Sequence, residues 1–333
     1  MTIRENYERR EQSVLSPLAS KASLSRGREK PEPQCDIRTV FQRDTGRIVH
    51  CSSFRRLKHK TQVFLSPDGD HYRTRLTHTL EVSQIARTIA RALNLNEDLT
   101  EAIAMGHDLG HPPFGHAGER TLDRLCPYGF AHNNQSLRVV DKLEREGEGL
   151  NLCYEVREGI VHHTGAPGET LEGRVVRMSD RIAYINSDID DAVHAGVLKN
   201  RDIPALIRGT LGQTYSERIN TLVFSIVSAS LDQTDILMEE EVSAAMDALR
   251  DFLFEFVYTN PVVKSEETKA DTLLASLYEY FRQNPDTMPV HYIETIYRED
   301  IDRAVCDYIA GMSDRYALAV YRDIFIPKGW EKM

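Results

Sequence analysis

The 333-residue chain reads as an all-α protein, and three observations predict this. Apolar residues recur at the 3.6-residue period of an amphipathic helix from about residue 75 onward. No stretch sustains the alternation of a half-buried strand or the turn chemistry of a hairpin. The composition, 41% hydrophobic and 28% charged, suits a soluble protein with a sizeable helical core.

The first 45 residues carry "SPLASKASLSRGREKPEP", rich in Ser, Pro and charge, and read as an extended arm. "DGDHYR" at 68–73 reads as a turn-rich connection. "LTHTLEVSQIARTIARALN" then places Val82, Ile85, Ile89 and Leu93 on one helix face, with His78 on the same side. "DLTEAIAMGHD" groups Leu99, Ile103 and Gly106, so His107 ends a helix facing inward. "GHPPFGH" breaks that helix, because proline cannot continue it and restricts the residue before it. "HNNQSLRVVDKLE" resumes with Leu137, Val140 and Leu143. "GRVVRMSDRIAYINSDIDDAVHAG" offers Val176, Ala183, Ile189 and Ala192 to a core. Helical periods continue through "ERINTLVFSIVSASL", "EVSAAMDALRDFLFEFVY", "KADTLLASLYEYF" and "IDRAVCDYIAGM". The expected organisation is an arm over 1–45, a core over 46–200 and a C-terminal helical layer over 201–333, within one globular body.

The net charge of −10 argues against a dedicated nucleic-acid binder, without excluding a local cationic pocket. Arginines do cluster in "SSFRRLKHK" and "DHYRTRLTH", and guanidinium groups suit phosphate. The five cysteines are scattered, with neither zinc-motif nor redox spacing. Together with the absence of a signal-like start or an apolar membrane span, they point to reduced thiols in the cytoplasm.

The chemistry concentrates in "AMGHDLGHPPFGHAGE" (104–119), with three histidines, one aspartate and one glutamate. Divalent metals take imidazole and carboxylate ligands, and His78, His107 and Asp108 are candidates. A fourth comes from the helix around 180. There Asp180, Tyr184 and Asp188 recur at every fourth position along a face shared with core residues. A carboxylate on such a face is costly unless it is paired or holds a cation. A solvated stripe with Asp190 and Asp191 accounts for the later acids, but poorly for Asp180.

The order His78 … His107-Asp108 … Asp180 resembles the pattern of the HD-domain metal-dependent phosphohydrolases. "FRRLKHKTQVF", "RTRLTHTLEV", "GHDLGHPPFGHAGE", "HNNQSLRV" and "SDRIAYINSDIDDA" together resemble the deoxyguanosine triphosphate triphosphohydrolase family. The resemblance covers most of the chain. It implies an HD helical bundle with additional C-terminal helices and a divalent ion (Mn, Fe, Ni, Co, Zn or Mg) on His78, His107, Asp108 and Asp180. It also implies His116 as the catalytic histidine, oriented by Glu119 and His132. Substrate contacts would come from Gln62, Arg75, His111, Arg181, Tyr184 and Asp188, with Gln62 and Asp188 reading the deoxyribose 3′-hydroxyl. The implied reaction converts a deoxynucleoside triphosphate and water to a deoxynucleoside and tripolyphosphate, in a homo-oligomer. Base preference and any response to nucleic acid stay open. So do two other readings, an HD phosphohydrolase for mono- or cyclic nucleotides and a catalytically silent nucleotide sensor.

Overall fold

In the computed structural model, residues 1–62 and 73–328 are described, with backbone alone for 261–263. The helices are α1 (Ile3–Val14), α2 (Val40–Val49), α3 (Ser52–Arg56), α4 (Arg75–Ala92), α5 (Glu97–Gly106) and α6 (Gly115–Leu125). There follow α7 (His132–Arg138), α8 (Tyr154–Val161), α9 (Leu171–His194), α10 (Ala205–Leu211) and α11 (Tyr215–Ser230). The chain closes with α12 (Glu240–Leu253), α13 (Pro261–Gln283), α14 (Val290–Arg298), α15 (Ile301–Ala310) and α16 (Asp314–Phe325). Among the described residues there is no β-strand, only the isolated bridges Arg28–Cys153 and Thr61–Thr74. No described helix is long and apolar enough to cross a membrane. The turn expected at 68–73 lies, except for Arg73, outside the described residues.

Apolar packing forms two clusters. In the first, α4, α5, α8 and α9 interleave Val82, Ile85, Ile89, Ile103, Ile160, Val176 and Ile189, and residues as far as Val257 on the chain join them. The second packs Phe114 and Leu122 against residues of α13, α15 and α16. Residues 203–257 thus pack with the core region, while the layer from 270 onward stands on α6. Close approaches fix the first cluster. A Cβ on Gly106 would lie 2.5 Å from Ile160, so glycine there lets α5 and α8 touch.

The extended arm is corrected at its ends. Residues 3–14 form α1, and the arm's last residues begin α2. Thr2 and Glu5 cap α1 reciprocally, and Arg4 pairs with Glu8 one turn on. Capping and charge pairing hold this helix, which buries no residue. Its signal is therefore absent from hydrophobic periodicity. The segment between α1 and α2 is tied to the body by buried acids: Glu172 accepts from Ser20, and Asp44 pairs with Arg28.

Candidate active site and metal centre

Three helices converge to place the four candidate ligands. His78 stands one turn into α4, whose start is capped by Thr74. Asp180 lies midway along α9. His107 and Asp108 follow the last residue of α5. Neighbours on a regular helix diverge by about 100°. Here the chain tightens into three-residue turns, with the Leu109 amide donating to Gly106 and the His111 amide to Asp108, and both side chains reach one point. His78 Nε2 lies 2.9 Å from Asp180 Oδ1 and 3.9 Å from Asp108 Oδ2. His107 Nε2 lies 3.5 Å from Asp108 Oδ1 and 3.7 Å from Asp180 Oδ1.

This donor set fits a divalent cation. His107 Nδ1–H donates to the Ala104 carbonyl at 2.7 Å, which leaves the Nε2 lone pair free. That Nε2 is buried without a partner and faces two carboxylates. An outer hydrogen bond that fixes the tautomer in this way is what a metal-binding imidazole needs. The carboxylates are held in their charged form. Burial opposes the charge on Asp180, but the bond to His78 and the nearby His107 outweigh it and draw its pKa down to about 2. Burial likewise opposes ionisation of Asp108, and His107, His111 and Arg75 together keep its pKa well below the ordinary range.

Arg75 is a buried cation left short of partners. One guanidinium nitrogen donates to Asp108 Oδ2 at 2.8 Å. Its Nε and its other terminal nitrogen have no partner among the described residues. Unpaired buried donors on a charged group are costly, and an anion at this point would satisfy them.

Above this floor lies a histidine relay. Glu119, on α6, accepts from the His132 amide at 2.8 Å, contacts His132 Nδ1 at 2.7 Å, and reaches His116 Nδ1 at 3.2 Å. His116 is exposed. Despite burial, these two histidines hold the Glu119 carboxyl far below the ordinary range. His132 Nε2 meets His163 Nε2 at 3.1 Å. His163 Nδ1 is occupied by the Ile160 carbonyl, and burial first, then His107 and His132, push the His163 pKa down to about 4. His163 Nε2 is therefore the acceptor from His132 Nε2–H, and Glu119 holds the other side of the His132 ring. Asp108, His111 and His132 also lie close enough to suggest a second metal cluster. However, the His111 and His132 rings are stacked at 4.0 Å with an interplanar angle of 17°, and Glu119 and His163 already engage both His132 nitrogens.

The expected substrate residues divide. Arg75 and Gln62 both flank Gly115, where a Cβ would lie 3.1 Å from the Gln62 carbonyl and 3.3 Å from Arg75. His111 contacts Asp108 at 3.2 Å. Arg181 is instead engaged by Asp247 of α12 at 2.9 Å, and Tyr184 packs half-buried on the first core cluster. Asp188 accepts from the Tyr258 hydroxyl, and no contact joins it to Gln62. Gln62 Oε1 and Asp188 Oδ1 are both buried acceptors without partners. Burial raises the Asp188 pKa to about 7. Asp191, which could be read as solvated, is buried against Arg73.

Sequence reasoning missed His163, Lys60, Tyr258 and Asp314. The doubled histidine of "IVHHTG" was a signal for the first; Lys60 sits in the quoted stretch "FRRLKHKTQVF" and Asp314 in "IAGMSDRYA", but no spacing marked either side chain or Tyr258. A cavity of about 970 Å³ opens elsewhere, lined by Arg47, Arg55, Arg56, Glu144 and Tyr308 among others, and none of the candidate residues lines it. Size is a weaker guide here than the unpaired polar atoms.

Comparison with known proteins bears on this geometry. Residues 75–185 match the HD domain, and residues 236–323 match the phosphohydrolase-associated domain. A deoxyguanosinetriphosphate triphosphohydrolase-like protein of Caldanaerobacter subterraneus subsp. tengcongensis is 54% identical over 99% of this chain and 98% of its own length. Proteins of the same description from Desulfatibacillum aliphaticivorans and Bordetella pertussis are 50% and 41% identical, over 98% and 93% of the chain and 99% and 96% of their own lengths. The solved structure of a phosphohydrolase from Bacteroides thetaiotaomicron shares the fold, at 18% identity and a TM-score of 0.54, over 84% of this chain and 68% of that one.

Proposed function

We propose, from the premise that the chain belongs to the family of deoxyguanosinetriphosphate triphosphohydrolase-like proteins, that it hydrolyses a deoxynucleoside triphosphate to deoxynucleoside and tripolyphosphate. The observation that supports this reading most is the pairing of a convergent His/Asp cluster, in which His107 Nε2 has no partner, with a buried, under-satisfied Arg75. One lacks a cation and the other an anion, and a metal with a polyphosphate would supply both. A divalent ion on His78, His107, Asp108 and Asp180 would lend Lewis-acid neutralisation of phosphate charge.

The chain's own groups do the rest. The two free guanidinium nitrogens of Arg75 would take phosphate oxygens, with His111 beside them. A water oxygen bonds to the α-phosphorus as the phosphorus–O5′ bond breaks; the water keeps one proton as P–OH and releases the other to solvent, and O5′ needs a proton in turn. His116 would donate it, held by Glu119, with His132 and His163 fixing the glutamate behind. The unpartnered Asp188 Oδ1 would accept from the single 3′-hydroxyl of the deoxyribose, and the Gln62 amide would donate to its oxygen.

The test is product analysis. Metal-loaded protein is incubated with each of the four dNTPs and with GTP, and the products are separated by anion exchange. Tripolyphosphate with free deoxynucleoside is the expected result, and the rate ranking gives the base preference. Orthophosphate or pyrophosphate would keep a phosphohydrolase but overturn this reaction. No product with any of the six ions would favour a nucleotide sensor.

A further inference from the structure

We propose that Asp314, the first residue of α16, is a positioning residue that holds both walls of the site in register from the C-terminal layer. This rests on the functional reading above. Its carboxylate is buried and serves two segments. Oδ2 accepts from the Thr61 amide at 2.9 Å and the Thr61 hydroxyl at 2.6 Å. Oδ1 accepts from the Phe114 amide at 2.9 Å. The first segment carries Gln62, and through the Lys60 carbonyl it accepts the amide of Arg75. The second connects His111 to His116.

The second segment needs such a hold. Phe114 is left-handed at φ 65°, without a side-chain cap for α6, and Gly115 follows at φ 57°. A non-glycine residue in this region is disfavoured unless its surroundings impose it. Asp314 fixes the amide of that residue. Lys60 adds a second tie, since its buried ammonium donates to the carbonyls of His111 and, at 2.9 Å, of Ala310. Both ties join the catalytic loop to α15–α16, which pack on α6 through the second core cluster. Without Asp314, Phe114 is free to leave the left-handed region, and the start of α6 with His116 to lose its register with His111, whose ring stands 5.7 Å away.

Asp314→Ala and Asp314→Asn test this, with turnover and amide hydrogen exchange as separate readouts. In Asp314→Ala, kcat should fall about 10²-fold and KM should rise, because the segment that carries Gln62 and accepts the Arg75 amide is released with Phe114, while bound metal stays unchanged. Exchange over 109–118 should quicken about tenfold while α4 and α9 keep their protection. Asp314→Asn retains one acceptor oxygen and should fall between. Unchanged kcat and exchange would overturn the proposal, as would exchange that rises evenly along the chain, which marks a merely structural residue. If Asp314→Ala does not fold, Asp314→Asn decides by the same readouts, and Thr61→Val, which cuts only the hydroxyl tie, should raise KM without quickening exchange over 109–118. If the parent chain releases no tripolyphosphate, the functional reading fails, while exchange over 109–118 still decides the hold on the loop.

Discussion

On the floor of the site, His78, His107, Asp108 and Asp180 arrive from three helices and lie mostly buried, with nitrogen atoms that nothing satisfies. At its rim, Glu119 on α6 binds His116 beside it and His132 on α7, and His116 stands exposed. The two regions use the same residue types, but burial separates their chemistry. On the floor, desolvation makes each unpaired donor or charge costly, so the cluster is arranged for a charged ligand. At the rim, a carboxylate pulled to its charged form aligns two imidazoles, one of which, His116, keeps access to solvent, which suits proton transfer.

Breaking the floor should do the most damage. His107→Ala removes the imidazole whose tautomer is already set by Ala104, so bound metal should be lost. Turnover should drop by more than the roughly 10–100-fold typical of losing an outer partner. Metal analysis of the purified variant alongside its kcat checks this, and retained metal would remove His107 from the ligand set. At the rim, His116→Ala should lower kcat by about 10²–10⁴-fold with metal content unchanged. Metal loss in that variant would erase the distinction between floor and rim.

Asp188 sharpens the comparison through pH. Its pKa is raised by burial to about 7 in the folded chain, above the unfolded value of about 4. The protonated form is thus favoured by folding. The stability this secures is complete below about pH 4, and it is lost as pH rises through 7. Asp188→Asn should therefore melt near the parent at pH 4 and higher than it at pH 8.5, by an amount on the order of 4 kcal/mol. Thermal melts at both values decide, and a variant that is equally displaced at both pH values would contradict the raised pKa. The smallest effect falls on Arg181, half-exposed and paired with Asp247. Arg181→Ala should shift stability by less than about 1 kcal/mol. A large rise in KM for a dNTP at unchanged stability would restore Arg181 to the phosphate contacts, whereas an unchanged KM would leave it a surface pair.

Much of this was legible before folding. The inward face of α4 with His78, the helix end at His107 and the Pro-Pro break follow from periodicity and from the loss of an amide at proline. The α1 helix was not, because capping and charge pairs make no apolar stripe. Nor was the burial of Asp188 and Asp191, because helical spacing says which residues share a face but not how far a neighbouring helix covers it.

The amino-acid sequence by itself determined the helical class, the family and the metal-type donors, since each rests on local period or on residue order along the chain. Tertiary structure alone decided which nitrogens stay unpaired, that His163 stands behind His132, that Arg181 turns to Asp247, and that Asp314 reaches across some 200 and 250 positions to Phe114 and Thr61. Those outcomes depend on packing between elements far apart in the chain. Burial and hydrogen-bond partnership are set there, and a linear pattern carries no record of them.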